Sequence, residues 1–225
     1  MEQRLRPNAD RARNAITLLW LMAGCETLML LLNYRQLGLL KRLERGEDLS
    51  EHTINNSDIA MGLASLVYLA VFIFTAITFI KWFRRAFFNL QRSTTGLQYT
   101  EDWAAAGWFV PVLNLFRPYQ IMRELYTRTI KLVGATSGTA HVGWWWALWM
   151  ITGILGQVAF RLDMQADDPG EMILSTQLAI AEALFGIPAA LLALMVVKRY
   201  AAMEPVLAAI PSSILPNDGG TVKVG

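Results

Sequence analysis

Residues 103–118 read WAAAGWFVPVLNLFRP, and the placement of this stretch decides how the rest of the chain folds. From Trp103 to Phe116 the only polar side chain is Asn114. Such a run is too apolar for a solvated loop. It is also too short to cross a bilayer as a helix, which takes ~20 residues. Its role depends on what flanks it.

Outward from this segment, four stretches qualify as transmembrane helices: about 15–32, 59–80, 143–160 and 172–197. At ~1.5 Å per residue the second matches a hydrocarbon core of ~30 Å. The fourth contains Gly186-Ile187-Pro188, where the proline removes a backbone hydrogen bond and predicts a kink near 184–187. Composition agrees with a membrane protein. Hydrophobic residues make up 54% of the 225 and charged residues 17%, against roughly 45–50% and 25% in soluble domains. The first thirteen residues are largely polar with four arginines. The apolar run behind them lacks a small-x-small cleavage site and is long enough to span, so it reads as a retained first helix. The single cysteine, Cys25, excludes an internal disulfide and reads as a small buried hydrophobe.

Basic residues set the orientation. Arg4, Arg6, Arg11 and Arg13 precede the first span. Lys81, Arg84, Arg85, Arg92, Arg117, Arg123, Arg128 and Lys131 lie between the second and third, and Lys198, Arg199 and Lys223 follow the fourth. That is fifteen on one side, against five (Arg35, Lys41, Arg42, Arg45 and Arg161) on the other. The balance puts both termini and the long middle connection in the cytoplasm of a cell whose inner membrane holds the protein. A fifth span at 103–116 would carry Arg117, Arg123, Arg128 and Lys131 outside, which the charge distribution opposes. The segment therefore reads as a dip into the cytoplasmic leaflet, either re-entrant or lying in the interface. A break at Pro111 then has to be covered by protein.

Beyond it, Pro118 suits a helix start, and Ile121, Met122, Leu125, Tyr126 and Thr129 form a helical stripe opposite Gln120, Arg123, Thr127 and Lys131. This predicts a basic amphipathic helix lying on the membrane surface, with Asn114 capping its start and Glu124 paired to Arg128. Trp82, Trp103, Trp108, Trp144, Trp145, Trp146 and Trp149 fall near one end of the spans, as a headgroup-level belt would. The fold class is thus all-α: a polytopic membrane protein with four transmembrane helices, a cytoplasmic re-entrant or interfacial segment and an amphipathic helix. It forms a single membrane domain over 1–200 with a poorly ordered tail at 201–225.

The runs RRAFFNLQ at 84–91, EDWAAAGWFVPVLNLFRPYQIMRELYTRT at 101–129 and GWWWALWM at 143–150 resemble the membrane family known as domain of unknown function 4328. The matching residues include Trp108, Pro111, Asn114, Arg117 and Pro118 in register. The resemblance implies a multi-pass bacterial membrane protein and no particular activity.

Two carboxylates lie within spans, Glu26 and Glu182, and such residues raise a functional reading by default. Ser175, Ala179, Glu182, Gly186, Ala189 and Ala193 share a face of small residues that suits close helix approach, with Gln157 on a candidate partner surface. Either Glu26, Gln157 and Glu182 form a proton- or cation-responsive site, or the glutamates fix helix packing. Arg117 and Arg123 are candidates for lipid phosphate. His52 and His141 lie on opposite sides and cannot share a metal. No nucleophile elbow, phosphate-binding glycine loop or zinc-helix motif is present, and no cofactor, metal or nucleic acid is expected. Three readings stay open: a non-enzymatic module binding lipid, a membrane partner or its own copy through Trp108, Pro111, Asn114, Arg117, Pro118 and Arg123; a small channel or transporter; and a lipid-active enzyme.

Overall fold

The computed structural model describes residues 5–210. Among them are six α-helices and no strands: α1 Ala9–Glu44, α2 Glu51–Gln91, α3 Glu101–Ala106, α4 Arg117–Val133, α5 Ala140–Asp163 and α6 Pro169–Ala209. A single 3-10 turn, Leu113–Leu115, precedes α4.

Three of these helices, α1, α2 and α6, are long and apolar enough to cross a membrane, not the four expected from the sequence. The exception is α5. Its 24 residues include four tryptophans, three glycines and Gln157, which dilute its hydrocarbon character. Tryptophan favours the headgroup level over the bilayer centre.

The helices also run further than their apolar cores. Between the first two apolar runs only residues 45–50 lie outside the helices, because α1 continues to Glu44 and α2 begins at Glu51. Gly46 ends α1 with a left-handed φ of 76°, and its N–H and that of Glu47 bond back to Leu43 and Arg42. Glu47 then accepts from Arg42 at 2.7 Å and Arg45 at 2.6 Å, and Ser50 Oγ takes the Thr53 N–H at the start of α2. At the other end α6 passes position 201, where the tail was expected to begin, and buries Leu207. Residues 211–225 lie outside the described residues.

The chain divides into two compact units. One comprises 5–16, 76–143 and 195–210, and therefore holds the end of α2, all of α3 and α4, and the end of α6. Its core is aromatic. Trp82, Phe83, Phe87, Tyr126 and Tyr200 are fully buried, and Tyr200 meets Trp82 and Tyr126 edge-on at 5.9 and 5.7 Å. The other unit comprises 17–75 and 144–194. There α2 exposes Leu63, Leu66, Val67 and Phe74, a surface suited to lipid.

Two expectations change here. The stripe of α4 faces protein: Pro118, Ile121, Met122, Leu125, Tyr126 and Thr129 are all buried, so that apolar face is consumed by packing and is not left for the membrane surface. The tryptophan belt is also partly interior, since Trp82, Trp145 and Trp146 are buried and Trp108 and Trp149 half-buried, while Trp103 and Trp144 remain exposed.

Candidate functional site

In the second unit α1, α2, α5 and α6 bring an acidic pair together. Glu26 is 4% exposed, and its Oε1 accepts a 2.9 Å hydrogen bond from the Tyr68 hydroxyl. Its Oε2 is buried without a partner. The carboxyl lies directly on Gly186 of α6, where a Cβ would fall 2.6 Å from Cδ and 2.7 Å from Oε2. Any larger residue there requires the Glu26 carboxyl, the far end of a flexible side chain, to move. Glu182, one turn before Gly186, is close enough for its charge to act on both Glu26 and Tyr68. Gly156 of α5 lies against Glu182: a Cβ there would stand 3.6 Å from the Glu182 Cγ, an ordinary contact. A buried carboxyl beside a half-buried carboxyl and a half-buried phenol can share a proton or take up a cation. Among the described residues no group of three His, Cys, Asp or Glu side chains could hold a metal ion.

Gln157 does not join this cluster. It is exposed on α5, about 100° round the helix from Gly156, which holds the inward position instead. Tyr68 was missed by sequence reasoning, although a lone phenol inside the apolar run 59–80 is a visible signal. Gly186 was read for its part in a kink and in a face of small residues suited to close helix approach, whereas its role as a seat for a carboxyl depends on a partner 160 residues away.

In the first unit the opening segment forms a strained apolar tip. Val112 has φ 66° and ψ −47°, and the Leu113 N–H bonds to the Pro111 carbonyl at 2.8 Å. This is a γ-turn of the rare positive-φ kind, here centred on a β-branched residue. It projects Phe109, Val112, Leu115 and Phe116, which are 75, 68, 48 and 39% exposed. Pro111 is exposed, while Trp108 packs edge-on against Phe79 at 6.0 Å. Gly107 closes the base of the tip, because a Cβ there would stand 2.9 Å from the Trp103 carbonyl oxygen.

The polar residues of this region depart from expectation. Asn114 lies within the 3-10 turn and does not cap α4; the N-cap position is Phe116, with no side-chain cap. Pro118 occupies the first turn of α4, as its fixed φ favours. Arg117 stacks on Tyr99 and Trp103, 5.1 and 5.5 Å from the ring centroids, so its guanidinium is held inside the fold. Glu124 and Arg128 do not pair. Glu124 accepts the Gln98 N–H at 2.8 Å and Arg128 donates to the Gly96 carbonyl at 3.0 Å, so both clamp the loop before α3. Arg123 stays exposed and lines an open groove with Tyr99, Tyr119 and Thr127.

Behind α4, burial raises the Tyr126 phenol, which donates to the Val196 carbonyl. His141 lies edge-on to Tyr126 at 4.9 Å, and its Nδ1 is 3.5 Å from Arg199 Nη1. Burial, and then the Arg199 charge, hold its imidazole below the ordinary value against a hydrogen bond with the Gly138 backbone.

A chain whose described residues form helices and no strands, with three membrane-crossing candidates among them and an aromatic unit built from helix ends, is a membrane protein by class. The family described as a domain of unknown function (DUF4328) matches residues 45–202, and the chain belongs to it. The match reaches well beyond the runs at 84–91, 101–129 and 143–150 and takes in all of α2 and most of α6. No curated protein and no solved structure matches the chain.

Proposed function

We propose that this is a multi-pass module of a bacterial cytoplasmic membrane, with its basic unit on the cytoplasmic side and its 109–116 tip dipped into the adjoining leaflet. The tip carries the reading. Four large apolar side chains project from one strained turn, and backbone strain persists where the surrounding structure over-determines it, often at functional sites. Charge supports the orientation. Among the described residues thirteen Lys and Arg belong to the first unit and five to the second. Keeping both ends of the chain on one side requires α5 to serve as a return leg, and at 24 residues it is ~36 Å long. Shelter beside α6, where Gly156 meets Glu182, compensates for its weaker apolarity. The activity is then binding, with lipid as the first partner.

The test places an environment-sensitive fluorophore at Phe109→Cys, in a Cys25→Ser background, in phospholipid nanodiscs. A blue-shifted emission quenched by lipid-borne quenchers is expected, with a label at Arg123→Cys remaining aqueous. An aqueous spectrum at position 109 rules the reading out.

A second reading rests on a separate observation, the unpartnered Glu26 Oε2 beside Tyr68 and Glu182. This cluster suits a proton- or cation-coupled conduit. Flux in proteoliposomes that is lost in Glu182→Gln supports it, and an impermeable wild-type protein removes it.

A further inference from the structure

The first unit contains a concentration of positive charge outside the residues discussed so far. The guanidinium carbons of Arg6, Arg92 and Arg85 lie 4.4, 5.3 and 5.8 Å from the centroid of a single ring, Phe88. Three like charges thus crowd into a space comparable with the screening length of ~10 Å at 0.1 M salt. Each gains from the ring's negative face, but they repel one another. Arg11 and Arg84 add their charge at Arg85, and Glu101 opposes them. Arg84 is itself tied to Asp102 at 3.0 Å and Glu101 at 3.6 Å, and Arg11 donates to the Lys81 carbonyl at 3.2 Å.

The arrangement is built into the fold. Arg6 lies outside any helix, yet its main chain is held at two points by the buried Asn89. The Arg6 N–H donates to Asn89 Oδ1 at 3.0 Å, and Asn89 Nδ2 donates to the Arg6 carbonyl at 3.0 Å. Asn89 also donates to Glu204 Oε1 at 3.3 Å, and Asn8 donates to both oxygens of the same carboxylate at 2.9 and 3.1 Å. Glu204 is therefore engaged by amides, while the Arg6 side chain is directed onto Phe88. Arg92 follows directly on the last residue of α2, with its N–H bonded to the Phe88 carbonyl at 3.2 Å, so the helix end supplies the ring and one cation and the clamp supplies another.

We propose that Arg6, Arg85 and Arg92 around Phe88 form a binding site for a phosphate group, either on a phospholipid headgroup or on a soluble phosphate ester. Guanidinium forks match phosphate oxygens two at a time, and a dianion placed among three guanidinium groups is attracted by each of them. The site stands whether or not the 109–116 tip enters lipid.

The full chain in phosphatidylcholine nanodiscs provides the test. Native mass spectrometry measures retention of added phosphatidic acid, and the thermal midpoint is followed during titration with inorganic phosphate. Wild type is expected to retain phosphatidic acid or to shift with phosphate. The Arg6→Gln/Arg92→Gln double variant should bind at least tenfold more weakly, while Arg13→Gln binds as wild type. Retained lipid that phosphate does not displace identifies a headgroup site, and displacement identifies a site for soluble phosphate. Failure of wild type to bind either probe overturns the proposal, as does equal binding by the double variant. Should the double variant fold poorly, hydrogen exchange on wild type decides. Slower exchange across 85–92 on adding the tighter probe supports the site, and unchanged exchange there overturns it.

Discussion

At the scale of single residues, Gly186 and Val112 carry the sharpest consequences. Gly186 is a seat for the Glu26 carboxyl, so Gly186→Ala forces a methyl into space that Glu26 Cδ already fills. A loss of about 1–3 kcal/mol is expected, read as a lower thermal midpoint in detergent. Shortening the other partner should rescue part of it: Gly186→Ala with Glu26→Ala should be less destabilised than the two separate losses added together. Val112 presents the opposite case. A valine at φ 66° stores about 1–3 kcal/mol of backbone strain, against about 0.5–1 kcal/mol of extra chain entropy that a glycine would lose on folding. Val112→Gly should therefore raise stability by about 1 kcal/mol in an unfolding titration, while weakening insertion of the tip.

At the scale of elements, α4 is joined to the end of α6 by one hydroxyl and one imidazole. Tyr126→Phe keeps the edge-on ring contact with Tyr200 but deletes the hydrogen bond to the Val196 carbonyl, leaving that oxygen without its donor. A cost of about 1 kcal/mol is expected from chemical denaturation. His141 adds a pH dependence. Its folded value lies below the unfolded one of ~6.5, so above that pH the imidazole is neutral in both states and costs nothing. As pH falls through ~6.5 the unfolded chain takes up the proton first, and stability declines until the folded value is passed. A melting series from pH 8 to pH 5 should show this decline, and His141→Gln should flatten it. Much of α4 was legible beforehand, because a buried helical stripe leaves a periodic mark in the sequence. Asn114 misled because an amide three residues before a helix has the composition of a cap without the geometry. Glu124 and Arg128 misled because a nearby loop competed for both side chains.

At the scale of the whole molecule, apolar runs and basic ends were readable, since insertion depends on length and hydropathy and orientation on charge. The apolar character of α5 was overestimated because tryptophan counts as hydrophobic yet prefers the headgroups. The acidic pair was half legible. Two glutamates in apolar runs stand out locally, whereas Tyr68 and Gly186 take their roles from partners remote in the chain. Arg6 and Asn89, 83 positions apart, left no local mark at all. The proposed orientation yields its own prediction. In a Cys25→Ser background, Arg199→Cys should react with a membrane-impermeant thiol reagent only in inverted vesicles, and Arg45→Cys only in intact cells. The reverse pattern would invert the protein.

The aromatic unit is assembled from the beginning, the middle and nearly the last described part of the polypeptide, with Asn8, Asn89 and Glu204 knotted by amide-to-carboxylate bonds. During synthesis its interior therefore stays open until Tyr200 and Glu204 leave the ribosome, long after Trp82 and Phe87 have been made. Completion of the sixth helix acts as a late checkpoint. A chain stalled before it would display bare rings and an unfastened leading segment, the kind of surface that chaperones and proteases recognise.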